Sequence, residues 1–170
     1  MVIIHIMNVD PWSWIAPLVL LALANGAPVL ATRVLDGRWS WPLDGGIVAW
    51  DGRRLLGSSK TLRGVCAALA ATAAAAPVLG LPVATGVTFA LASLLGDAAS
   101  SFTKRRLGVE TSGRAFGLDQ IPEALLPLLV CYRPLALTPA DVIAVVVLFT
   151  LGQVLVSPLM FRFGLRRRPY

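Results

Sequence analysis

Charge is scarce in this chain. Of 170 residues, 14% are Asp, Glu, Lys or Arg, against about 25% in ordinary soluble domains. Hydrophobic residues make up 56%, and several apolar runs approach membrane-spanning length. That balance excludes an ordinary soluble domain and points to an integral membrane protein. Histidine occurs once, as His5 in the N-terminal segment, so a buried His-based triad has no candidate in the core of the chain. Cys66 and Cys131 fall within apolar runs and offer neither a disulfide framework nor metal-ligand spacing. There is no Walker A, RNA-binding or zinc-finger pattern. No signal-peptide cleavage pattern follows the first apolar run, which is read as a retained helix.

The expected fold is all-α: one polytopic domain, residues 1–170, with five transmembrane helices at about 12–32, 62–81, 82–102, 119–137 and 140–161. Trp12 and Trp14 sit at the first helix start as aromatic anchors would. The net charge is +6, and its cations border apolar runs, so membrane topology explains it without a nucleic-acid partner. Fourteen of the fifteen Lys and Arg residues lie in the first loop, the boundary of the second span, the third-to-fourth loop or the C-terminal tail. Only Arg133 lies on the other side. An odd number of crossings with that bias predicts an external N terminus and a cytoplasmic C terminus in the inner or plasma membrane. The alanine tract of the second span permits close helix packing and a possible homodimer.

One stretch organises the rest: Leu95-Gly96-Asp97-Ala98-Ala99-Ser100-Ser101-Phe102-Thr103-Lys104-Arg105-Arg106. On a helix, Asp97, Ser101 and Lys104 share one face. The apolar run before Asp97 starts near Val83 and covers about 21 Å, short of the roughly 30 Å hydrocarbon core. The helix must continue past Asp97, which puts a carboxylate inside the membrane boundary, by default a functional position. The alternative is an interfacial carboxylate paired with a neighbouring arginine. In the first loop, Asp44-Gly45 and Asp51-Gly52 are turn signals. The Gly57–Thr61 segment, with Lys60 and Arg63, reads either as a phosphate cradle at a helix start or as a solvated basic loop. Asn25, Gly26 and Pro28 read as a ligand contact or as packing at a kink. Asp119 and Glu123 lie four apart, with Pro122 tolerable in a first helical turn. Two such carboxylates near a cationic loop suit a divalent metal with substrate phosphate, or simply an acidic helix start.

Taken in order, Asn25-Gly26-Ala27-Pro28-Val29-Leu30, Pro42-Leu43-Asp44, Asp51-Gly52-Arg53-Arg54-Leu55-Leu56-Gly57, Ser59-Lys60-Thr61-Leu62-Arg63-Gly64, Gly96-Asp97 with Ser101, Lys104 and Arg105, and Asp119-Gln120 carry a family pattern. The chain resembles the CDP-archaeol synthase family, related to CDP-diacylglycerol synthases, over nearly its whole length. The resemblance implies a magnesium-dependent cytidylyltransferase that joins CTP to a phosphorylated glycerolipid and releases pyrophosphate. It implies Asp97, Asp119 and Lys104 as catalytic residues, with Asp97, Asp119 and Glu123 for Mg2+. Ser59, Lys60, Arg63, Ser101 and Arg105 are the implied phosphate contacts. One departure stands out. The family commonly places a second aspartate three positions after the first; here that position is Pro122, and Glu123 follows it. Glu123 would replace the missing acid with a different reach. A nonenzymatic transporter or binding protein for a phosphorylated ligand, or a purely structural role for these polar residues, are the readings of other classes.

Overall fold

The computed structural model describes residues 11–36, 38–110, 113, 115 and 117–162. His5, Arg114 and the tail arginines Arg166, Arg167 and Arg168 lie outside the described residues. A 3-10 turn, Pro11–Trp14, leads into α1 (Ile15–Val34). Then follow α2 (Leu62–Val78), α3 (Val83–Arg106), α4 (Gln120–Val130) and α5 (Pro139–Arg162). The expected all-α fold is therefore observed.

Among the described residues, three helices are long and apolar enough to cross a membrane: α1, α3 and the Pro139–Val156 part of α5. The other two are shorter than the sequence suggests. α2 has 17 residues, about 25 Å of helix, and α4 has 11, about 17 Å. The expected fourth span ran to residue 137, but α4 stops at Val130. Pro134 has no amide to continue the ladder, and it disfavours helical backbone at Arg133. The chain turns there instead, with Leu135 N–H on the Cys131 carbonyl (3.1 Å) and Leu137 N–H on the Tyr132 carbonyl (3.1 Å).

Local chemistry sets the helix starts. The Thr61 hydroxyl caps α2 by accepting the Gly64 amide at 3.2 Å. At α5, Thr138 and Asp141 form a reciprocal capping box around Pro139, which occupies the first helical position. Asp141 also accepts the Trp14 indole N–H at 2.7 Å, pinning the start of α5 to the entrance of α1.

α3 is the central helix, packed on α2 on one side and α4 on the other. Two glycines set these approaches. A Cβ on Gly86 would lie 2.4 Å from the Thr72 carbonyl oxygen of α2, and one on Gly96 would lie 2.2 Å from the Pro122 carbonyl oxygen of α4. Small residues that let backbones meet are the usual device for helix contact in lipid, where apolar burial gives little drive. The apolar core gathers Leu20, Leu21, Phe89, Ala124, Leu128, Val145 and Phe149 from four helices. Cys131 is buried in it and Cys66 is exposed; both are free thiols.

Residues 35, 36 and 38–61 form an irregular cap between α1 and α2, set against the end of α3. A hairpin-like turn is closed by Ala49 N–H to the Arg53 carbonyl (2.8 Å) and Leu55 N–H to the Ile47 carbonyl (3.0 Å). Gly52, at its tip, has φ +74°, as the Asp51-Gly52 turn signal anticipates. The whole cap is organised by Asp44. Its Oδ1 accepts Gly46 N–H (3.0 Å), its Oδ2 accepts Leu56 N–H (3.1 Å) and Gly57 N–H (3.0 Å), and Arg54 pairs with it.

A polar cavity at the loop end of the helices

A cavity of about 630 Å³ opens where the five helices and the end of the cap meet. Because α3 continues past Asp97, its C-terminal half lines this space with Asp97, Ser101, Lys104 and Arg105. The shared face expected from the Asp97-Ser101-Lys104 spacing is thus the cavity face. Residues 58–61 of the cap supply Ser58, Ser59, Lys60 and Thr61. The first turn of α4 brings Asp119, Gln120 and Glu123; α1 brings Asn25 and Pro28; α5 brings Gln153.

Two cation–carboxylate pairs cross the cavity. Lys60 of the cap pairs with Asp97 of α3, and Lys104 of α3 pairs with Asp119 at the start of α4. Asp97 is therefore matched by a lysine from another element, not by a neighbouring arginine. Lys104 also donates to the Gly113 carbonyl at 3.1 Å, and Asp119 Oδ2 accepts the Ala115 amide at 3.0 Å. Arg105 donates to the Glu110 carbonyl at 2.6 Å. The third carboxylate, Glu123, is buried, accepts a 2.5 Å hydrogen bond from the Gln153 amide, and lies in the field of Asp97, Lys60 and Asp119. Pro122 falls in the first turn of α4, and Glu123 faces inward rather than toward solvent.

Of the residues singled out in the sequence, the structure brings together Ser59, Lys60, Asp97, Ser101, Lys104, Arg105, Asp119 and Glu123. Arg63 is turned elsewhere: it donates to the Arg38 carbonyl (2.6 Å) and the Thr32 hydroxyl (3.2 Å), tying the cap to α1. Gln153 and Asp44 were not singled out as site residues. An amide in an otherwise apolar membrane helix is the signal that marks Gln153. For Asp44 the signal is an aspartate before two glycines, an Asx-turn pattern.

Among the described residues, no group of three His, Cys, Asp or Glu side chains converges as a ready-made metal cage. The donor set nonetheless fits Mg2+. That ion is usually held by one or two carboxylates together with substrate phosphates rather than by an all-protein cage. Asp97 and Asp119 offer such hard oxygens beside three cations able to meet phosphate.

The family model described as CarS-like: CDP-archaeol synthase matches residues 18–170. The chain belongs to the CDP-archaeol synthase family. A CDP-archaeol synthase of Thermofilum pendens is 31% identical over 163 residues, covering 92% of this chain and 78% of the relative. One of Aeropyrum pernix is 43% identical over 105 residues, and there the match spans little more than half of either protein, 58% of this chain and 57% of the relative. A solved structure, described as an intramembrane enzyme for archaeal membrane lipids biosynthesis, shares the fold. It has a TM-score of 0.68 at 34% identity, covering 81% of this chain and 90% of that one.

Proposed function

We propose that this cavity transfers a cytidylyl group from CTP to a phosphorylated glycerolipid of the archaeol type, making a CDP-lipid and releasing pyrophosphate. One observation carries the reading: in a chain of the CDP-archaeol synthase family, two lysine–aspartate pairs from three separate segments meet in one cavity at the loop end of the membrane helices. Pairs of this kind are exchangeable. Phosphate oxygens entering the cavity draw Lys60 and Lys104 from Asp97 and Asp119, and the two carboxylates are freed as oxygen ligands. Ser59, Ser101 and Arg105 complete the phosphate-binding wall. An oxygen of the lipid phosphate attacks the α-phosphorus of CTP; the bond to the bridging oxygen breaks, and pyrophosphate carries that oxygen away. The lipid phosphate arrives ionised, so no protein base is needed. Asp97, Asp119 and Glu123 would hold Mg2+, which would supply positive charge to offset the triphosphate and the developing leaving-group charge. A transporter reading has no observation of its own in its favour.

We read all five helices as crossings, with α2 and α4 completed by the turns that follow them. The basic cap, the cavity and the C terminus are then cytoplasmic and the N terminus external. A homodimer would use the exposed small-residue stripe Cys66, Ala70 and Ala74 on α2. The enzyme reading is tested with purified protein, labelled CTP, Mg2+ and a panel of phosphorylated isoprenoid-ether and fatty-ester glycerolipids. CDP-lipid formation that falls at least about 100-fold in Asp97→Asn and Asp119→Asn, with folding retained, is the expected result. No product from the wild type with any lipid would overturn the enzyme reading. Normal Mg2+-dependent turnover in both variants would overturn the roles given to the two aspartates.

A further inference from the structure

The cap carries apolar surface that the fold leaves uncovered. Trp39 is 70% exposed, Trp41 66% and Trp50 83%, with Ile47 and Val48 exposed beside them. Each indole is held at the same-side end of a membrane helix. The carbonyl of Trp41 accepts the amide of Leu62, the first residue of α2, at 2.9 Å. Trp39 follows Arg38, whose carbonyl is gripped by Arg63 of α2, which also reaches Thr32 near the end of α1. Trp50 stands over the end of α3: its ring is 6.3 Å from that of Phe102, and the Arg106 guanidinium is 5.3 Å from its centroid. Arg53 locks this arrangement by donating to the carbonyls of Arg105 (3.1 Å) and Arg106 (3.0 Å) at the end of α3.

Trp39 adds a second observation. Its φ is +56°, in the left-handed region that a bulky L side chain rarely adopts. Strain of this kind persists where the surrounding structure fixes the conformation, and the indole it presents is mostly exposed. Among the described residues, little covers it.

We infer that the cap rests on the headgroup layer of the protein's own bilayer, with Trp39, Trp41 and Trp50 as its interfacial anchors. Three features choose this occupant over a protein partner. Tryptophan concentrates at membrane–water interfaces, where one ring meets both apolar and wet surroundings. The three indoles belong to segments tied to the ends of α1, α2 and α3, where these helices leave the apolar layer. Exposed Arg38 and Arg53 flank them in sequence and complement anionic headgroups. The consequence is positional. Ser58, Ser59 and Lys60 belong to the same cap and line the cavity, so seating it on the interface sets the cavity mouth at the depth of lipid phosphates.

The test does not require turnover, so it succeeds or fails independently of the proposed reaction. The Trp12→Phe/Trp14→Phe variant keeps only the cap tryptophans of the five in the chain. It is reconstituted in vesicles of phosphatidylcholine and phosphatidylglycerol with unbrominated or chain-brominated lipids, and indole emission is recorded. Strong quenching by brominated lipid, with weak quenching by acrylamide, is expected. Strong acrylamide quenching without bromolipid quenching would overturn the inference and place the cap in water. Protection from both quenchers would also overturn it, in favour of cover by protein. Should loss of the Trp14–Asp141 bond prevent folding, the wild type is compared with Trp39→Phe/Trp41→Phe/Trp50→Phe. That triple change is expected to remove about half or more of the bromolipid-sensitive emission, and an unchanged bromolipid response would overturn the inference.

Discussion

Replacing Asp44 by asparagine removes the charge around which the cap is built. The Asp44 residue is 5% exposed, and its carboxylate takes hydrogen bonds from three backbone amides as well as pairing with Arg54. Burial by itself pushes a carboxyl pKa up. Here the Arg54 guanidinium and the amides of Gly46, Gly57 and Leu56 outweigh it and hold Asp44 at about 2, below its ordinary 3.8. A folded-state value below the unfolded one contributes stability that is complete above the unfolded value and is lost as pH falls through the folded one. At neutral pH that contribution is about 2 kcal/mol. An asparagine at this position keeps one acceptor oxygen but turns an N–H₂ toward donors that have no lone pair to offer, so the loss is of similar size.

The cap carries trypsin sites at Arg53, Arg54 and Lys60. Where local opening is fast relative to cleavage, nicking tracks the open population. A loss of about 2 kcal/mol raises that population about 30-fold. Asp44→Asn is expected to speed trypsin nicking of the cap by about that factor at neutral pH, with helical circular dichroism unchanged. Asp36→Asn, an exposed change in the same segment, should leave the rate alone. In the wild type, hydrogen exchange of the cap amides should show protection falling between about pH 4 and pH 2. The variant should lack this transition. Equal nicking of Asp44→Asn and wild type, or an acid transition centred at the ordinary carboxyl value, would refute the charge-network account.

Gly96→Ala is expected to abolish or severely weaken folding, by about 3 kcal/mol or more, because its Cβ would meet the Pro122 backbone at 2.2 Å; thermal unfolding in detergent reads this. Gly26→Ala, where a Cβ meets nothing within 4 Å, should be tolerated in the same measurement. Glu123→Gln should weaken the apparent Mg2+ affinity of turnover, and a Mg2+ titration that superimposes on wild type would remove Glu123 from the site. Impermeant labelling should find the cap cytoplasmic and the N terminus external; an external cap would refute the charge-asymmetry reasoning.

Much of this site was legible because its spacing is local. Asp97, Ser101 and Lys104 had to share a helix face whatever surrounded it, and the shortness of the apolar run before Asp97 put that face at the membrane boundary. The Asp51-Gly52 turn is equally local. What stayed hidden depends on contacts between distant segments. Nothing near Arg63 in sequence indicates that its guanidinium goes to α1 and the Arg38 carbonyl rather than to the cavity. Nothing near Lys60 says that its partner is Asp97, 37 residues on. The fourth helix was overdrawn because apolarity continues past Val130, whereas the backbone ladder ends ahead of Pro134.

The Pro122–Glu123 departure joins these two kinds of information. By sequence alone, the acid is displaced by one position and a helix start could carry it toward or away from the site. The Gly96 contact decides the direction. Because residue 96 has no side chain, the backbone of Pro122 and Glu123 presses against α3 within the space a Cβ would fill. Proline costs the helix no hydrogen bond there, since the first-turn amides have no partner inside the helix. With the backbone that close, the longer glutamate side chain extends into the cavity, and the Gln153 amide of α5 holds it at 2.5 Å. Position 122 thus serves as packing surface, position 123 brings a carboxylate to the cavity wall, and the glycine that permits both belongs to the motif that carries Asp97.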